Sequence, residues 1–188
     1  MAPKSDKGFP SYLRKIRIGI AGSIAVLVVI GLSKPDSSFH FPPAGSLSKY
    51  VISLSFLLVL ACLSFPWFIK SKGTTKILGW CAGLLVPVFL VGYFFLVHTF
   101  VVAVDIPAIK KTTHAIIGYQ RSAYAEKNYP GLSDYELLKQ GGSDEAALRD
   151  LYTGSSRFWV VFAMFLAYAG LPSAVAVIYG CACRRDQL

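Results

Sequence analysis

Four stretches of this chain carry no Lys, Arg, Asp or Glu: residues 18–33, 50–69, 77–104 and 158–183. No other feature restricts the fold so strongly. A bilayer core about 30 Å thick needs roughly 20 apolar residues in a helix that rises about 1.5 Å per residue. The second, third and fourth stretches reach that length. The first is shorter and reaches it only with Ile16 included and Arg17 extended toward the headgroups. Charged residues are 15% of the chain, against about 25% in ordinary soluble domains. The expected fold is an all-α membrane protein with four transmembrane helices. A small α+β extracytoplasmic domain, a β-hairpin plus short helices, lies between helices 3 and 4.

A basic segment before an apolar run also describes a signal peptide. Lys4, Lys7, Arg14, Lys15 and Arg17 precede the first stretch. The run ends Gly31-Leu32-Ser33-Lys34-Pro35, without the small-residue pattern of a cleavage site. An uncleaved span is the expectation.

The net charge of +9 is distributed as topology requires rather than as nucleic-acid binding would. Ten of the 19 Lys and Arg residues lie in residues 1–17, 70–76 and 184–188, beside span ends. The rest mix with eight of the ten acids in residues 34–49 and 105–157. By the positive-inside rule the three basic segments face the cytoplasm. Both termini then lie inside, and a plasma (bacterial inner) membrane location follows. The expected organisation is a basic tail (1–17), span 1 (18–33), an outer loop (34–49), span 2 (50–69), a cytoplasmic turn (70–76), span 3 (77–98), the outer domain (99–156), span 4 (157–183) and a short tail (184–188). The lipid bilayer is a partner by this reading, and nucleic acid is not.

Within the outer domain, Thr99 to Val104 and Thr113 to Tyr119 are β-branched and aromatic, which predicts a hairpin over residues 99–119. Short helices follow. The first runs from Arg121 to Lys127 and stops at Tyr129-Pro130-Gly131. Ser133-Asp134-Tyr135-Glu136 has the capping-box pattern, and Gly141-Gly142 ends that helix. Ser143-Asp144-Glu145 opens another, running to about Leu151, with acids favoured by the helix dipole.

Catalytic chemistry finds no footing. No acid or base lies at the centre of any span, which argues against a proton relay. His40, His98 and His114 lack metal-ligand spacing, and Asp105 near His98 has no second partner in sequence. No G-x-S-x-G occurs. Acids at helix starts are explained by capping. No catalytic residue, metal or cofactor is assigned, and the chain is expected not to be an enzyme. Cys62, Cys81, Cys181 and Cys183 lie within spans or at the last one's end, so no outer disulfide framework is available. That separates the chain from tetraspanins and from disulfide-generating membrane oxidoreductases, which share its size and span number but need outer cysteines.

Two sets of residues suggest binding instead. Gly79 and Gly83 form a small-x-x-x-small pair in span 3. Ala163, Ala167, Gly170 and Ala174 fall on one face of span 4. Both sets predict close helix packing, within the chain or with a partner span. In the outer domain, Tyr119, Tyr124, Tyr129, Tyr135 and Tyr152 accompany Arg121 and Arg149. Tyr and Arg dominate binding hot spots. Of these, Tyr119, Arg121, Tyr124, Tyr129, Tyr135 and Arg149 are the candidate partner contacts. In size, span number and inside termini the chain resembles immunity proteins against pore-forming colicins, a likeness of architecture that no motif carries. The expected function is non-enzymatic: binding a membrane or extracytoplasmic protein, as an immunity-type protein or an accessory subunit. A self-assembling homo-oligomeric channel is the alternative.

Overall fold

The computed structural model describes residues 47–106 and 111–185. The first expected span and most of the first outer loop, His40 included, lie outside the described residues. The described chain is mostly helical, with one two-stranded antiparallel sheet. The order is α1 (Leu47–Ser64), a 3-10 turn (Phe65–Phe68), α2 (Lys72–Phe100), β1 (Val101–Ile106), β2 (Lys111–Ile116), α3 (Ala123–Asn128), α4 (Asp134–Gly141), α5 (Glu145–Leu151) and α6 (Gly154–Arg185).

Two of these helices, α2 and α6, are long and apolar enough to cross a membrane; residues 53–68 form a shorter apolar helix. Four spans are thus an expectation of which two have helices of the required length. At 29 residues α2 extends about 43 Å. Its most apolar window is only 11% buried, against 44% in α6. Ile77, Trp80, Leu84, Val88, Val91 and Phe95 all face outward from it. A core helix of a soluble protein would bury such side chains, and an exposed apolar surface of this extent needs a cover.

The described residues divide into two compact units, one of residues 49–91 and 167–185, the other of residues 92–166. In the first, α1, α2 and α6 pack through small residues. A Cβ on Gly79 would lie 3.6 Å from Cys181 Cβ, and one on Gly170 would lie 2.7 Å from the Phe89 ring. Residue 79 meets 181 and residue 89 comes against 170, so α2 and α6 run antiparallel here. Ala167 and Ala174 are buried as the small-residue face predicts, and Ala163 is half-buried. Gly83 differs: no neighbour among the described residues comes within 4 Å of its Cβ position.

Pro66 ends α1 early. It lies in the 3-10 turn, whose Ile69 N–H donates to Pro66 O at 3.2 Å. The α-helix expected over residues 50–69 therefore stops at Ser64 instead of Ile69. The basic turn is also shorter than residues 70–76. Ser71 Oγ accepts from Thr74 N–H, and α2 starts at Lys72, because a serine oxygen can satisfy one of the free N–H groups of a first turn. Span 4 is likewise longer at both ends than residues 157–183.

The second unit includes the last nine residues of α2, from Gly92 to Phe100. The helix continues through Thr99 and Phe100, so the hairpin begins two residues later than position 99. The Phe100 carbonyl, which has no intrahelical partner, accepts from Ile117 N–H at 2.9 Å. That bond continues the ladder, in which Val101 pairs with Ile116 and Ile106 with Lys111. Side chains alternate across a strand. Phe100, Val102, Val104, Ala115 and Ile117 consequently share one face and form half of the unit's core. Leu137 and Leu138 of α4, Leu148 and Leu151 of α5, Ala125 and Tyr152 supply the other half. An isolated hairpin is marginal in water; here α4 covers β1.

Candidate functional site

The α+β unit holds its shape through a polar node beneath its surface. Residues 120–122 run alongside 151–153: Ser122 N–H donates to Leu151 O at 2.9 Å and Thr153 N–H to Gln120 O at 3.1 Å. Ser122 also caps α3, its Oγ accepting from Ala125 N–H, and its hydroxyl donates to Asp150 O. Arg121 and Tyr152 thereby form a bridge pair, and both side chains reach Asp134 at the start of α4. Arg121 donates to Asp134 Oδ1 from Nη2 at 2.8 Å and from Nε at 3.2 Å. Tyr152 OH donates to the same oxygen at 2.9 Å. Burial raises the Tyr152 phenol well above the ordinary tyrosine value, and its bond to the Asp134 carboxylate adds to the rise. It stays a protonated donor through the physiological range.

Other parts of the unit are tied equally locally. The capping box at α4 forms as expected: Glu136 N–H donates to Ser133 Oγ at 3.3 Å, and Ser133 N–H to Glu136 Oε2 at 3.0 Å. These bonds hold the Glu136 carboxyl below the usual range. Asp144 caps α5 through Ala147 N–H. Arg157, on α6, grips Glu145 with both Nη atoms, at 3.1 and 3.0 Å. That fork lowers the Glu145 carboxyl.

With the core filled from within, three tyrosines are left over. Tyr119 is 60% exposed, Tyr124 54% and Tyr135 41%. Tyr129 is partly buried against the core and meets the Tyr124 ring edge-on at 6.3 Å. It props Tyr124 outward. Tyr152 is a core residue. Arg121 is committed to Asp134, so it positions the Tyr119 segment against the start of the helix that bears Tyr135. Arg149 is exposed, 3.6 Å from Glu145 one turn earlier. Of the six expected partner contacts, Tyr119, Tyr124, Tyr135 and Arg149 thus face outward, while Arg121 and Tyr129 are engaged within the unit.

His98 is exposed near the end of α2, and His114 sits opposite Ala103 in the hairpin. Among the described residues no three His, Cys, Asp or Glu side chains converge as metal ligands would. Two features escaped the sequence reading. Gly180 lets α6 approach α1 so closely that a Cβ would meet Leu63 O at 2.9 Å. The second is the Asp134 node, whose members are 13 and 18 residues apart. No periodicity links Arg121, Asp134 and Tyr152.

No family model matches the chain, nor does any curated protein or solved structure.

Proposed function

We propose that this chain is a non-enzymatic polytopic membrane protein that binds a protein partner through its α+β unit and its spans. In this reading four helices cross a bacterial inner membrane. Both termini are cytoplasmic, and residues 99–156 stand on the outer face. The partner is a membrane-targeting toxin, which the chain neutralises as an immunity-type protein, or a larger membrane complex in which it is an accessory subunit.

The observation that carries the reading is the set of tyrosines left outside a satisfied core. Tyr119, Tyr124 and Tyr135 are large rings that the unit does not use to fold. Such rings offer wide contact area at low entropy cost, as hot spots require. Support for the membrane comes from the apolar window of α2, of which only 11% is buried. Support for the orientation comes from Lys70, Lys72, Lys76, Arg184 and Arg185, all at the same ends of α2 and α6.

The test is gentle purification of the tagged chain from its native membrane, with the mass and composition of the complex determined. Wild type is expected to bring a stoichiometric partner that the Tyr119→Ser/Tyr124→Ser/Tyr135→Ser variant loses while staying folded. Retention of the partner by the variant would refute the tyrosine surface. A homogeneous ring of this chain alone would replace the reading with the self-assembling channel.

A further inference from the structure

At one end of the helical unit α2 and α6 part to leave a cleft of about 190 Å³. Its floor is apolar and low, made by Gly79, Ile178 and Cys181, and its rim carries Lys76, Arg185 and Trp80. Gly79 faces Cys181 across the floor, its Cβ position 3.6 Å from Cys181 Cβ. Thr75, also on the wall, is buried and already satisfied: its Oγ1 donates to Ser71 O at 2.9 Å.

We propose that this cleft binds the phosphate headgroup of an anionic phospholipid, with Lys76 and Arg185 as its cationic contacts and Trp80 beside the glycerol region. The proposal rests on the membrane-spanning reading but not on the partner. Three observations favour this occupant. First, the described residues of this unit include no Asp or Glu, while Lys70, Lys72, Lys76, Arg184 and Arg185 lie at the same end of its helices as the cleft. Among the described residues the local field is therefore positive, with no acidic side chain to balance it. Second, the two terminal arginines are used differently. Arg184 donates from Nε to Ile69 O at 3.1 Å and lies over the Trp67 ring at 4.5 Å. It is a structural clamp. Arg185 lines the cleft and is exposed, as is Lys76. Third, the cleft is amphipathic in the order a lipid requires, cationic at the helix ends and apolar toward the helix middles. Trp80 is 69% exposed, and its indole suits the boundary between headgroup and chain. Basic clefts between helix ends at a cytoplasmic surface are where such headgroups bind. A soluble anion would use the cations but not the apolar floor or the indole.

The full chain in a neutral detergent is mixed with dioleoylphosphatidylglycerol or dioleoylphosphatidylcholine, and retained lipid is measured by native mass spectrometry. Each basic contact made directly to the headgroup is worth about a fivefold change in lipid affinity. The expected result is preferential retention of phosphatidylglycerol. Lys76→Gln/Arg185→Gln should weaken it about thirtyfold, and Lys76→Arg/Arg185→Lys should restore it. Lys70→Gln/Lys72→Gln removes the same charge outside the cleft and should weaken retention by no more than about threefold. Equal loss in the two glutamine variants would overturn the cleft as the site. Equal retention of phosphatidylcholine would overturn the anionic headgroup, and displacement by equimolar inorganic phosphate would replace the lipid with a free anion. Alkaline carbonate washing of the native membranes separates the two readings. Release of the chain refutes the membrane itself, whereas a chain that stays but shows no lipid preference refutes only the cleft.

Discussion

Replacing Asp134 with alanine removes the one acceptor shared by Arg121 and Tyr152. The Arg121 pair is partly exposed, with side chains 28% and 39% accessible, so screening limits its worth to about 1 kcal/mol at most. The Tyr152 hydroxyl belongs to a residue that is 1% exposed. Leaving such a donor without a partner costs about 1–3 kcal/mol. The open side of Asp134 lets water reach the hydroxyl, which favours the lower half of that range. Together the loss is about 1–3 kcal/mol, or roughly a 5- to 150-fold fall in local protection. Hydrogen exchange of the full chain in detergent reads this directly at the amides of Ser122 and Thr153, which bond residues 120–122 to 151–153. Asp134→Asn keeps an acceptor but loses the charge, so its effect should be the smaller, about 1 kcal/mol. Exchange in Asp134→Ala within twofold of wild type would refute the node as the unit's fastening. Equal effects of the alanine and asparagine changes would show that charge alone matters, and the Tyr152 bond would then contribute nothing.

Ser133→Ala breaks the capping box and should cost about 1 kcal/mol, read as faster exchange across residues 134–138 with α5 unchanged. Gly180→Ala forces a methyl against the Leu63 carbonyl and should destabilise the helical unit by about 1–3 kcal/mol in a detergent melting assay. Gly83→Ala meets nothing among the described residues and should leave the melting temperature unchanged; a large loss there would reveal a contact with a neighbour. Because Arg157 holds the Glu145 carboxyl below the usual range, its contribution is present above the unfolded value of about 4.3. It is lost as pH falls through the lowered folded value. The protection factor at the start of α5, the exchange rate corrected for the intrinsic pH dependence, should therefore be flat from about pH 8 to 5 and fall only in stronger acid, and Glu145→Gln should abolish that fall.

Local rules made the α+β unit legible before any coordinates. The β-branched run after Phe100 announced a strand. Ser133 with Glu136, Asp144 and Gly141-Gly142 announced the ends of α4 and α5, because capping and turn chemistry act over three or four residues. Charge-free stretches of span length identified α2 and α6 by a similar local test. The hairpin's start was misplaced by two residues because Thr99 and Phe100 join the helix in spite of their strand preference. A helix already 27 residues long adds another turn at little cost, since propagation is easier than nucleation.

Which tyrosines fill the core and which face outward could not be read from spacing. Tyr152 is buried because Arg121 and Asp134, distant in sequence, converge on its hydroxyl, whereas Tyr119, Tyr124 and Tyr135 are outward only because leucines and Tyr152 already occupy the interior. The same holds for Gly180 against Leu63, for the open position at Gly83, and for the meeting of Lys76 with Arg185 across a cleft. By itself the sequence determined which segments are helix, strand or turn, since those preferences are set by neighbours within a few residues. Only the tertiary structure decided the faces, because a side chain's burial depends on what the rest of the chain brings against it.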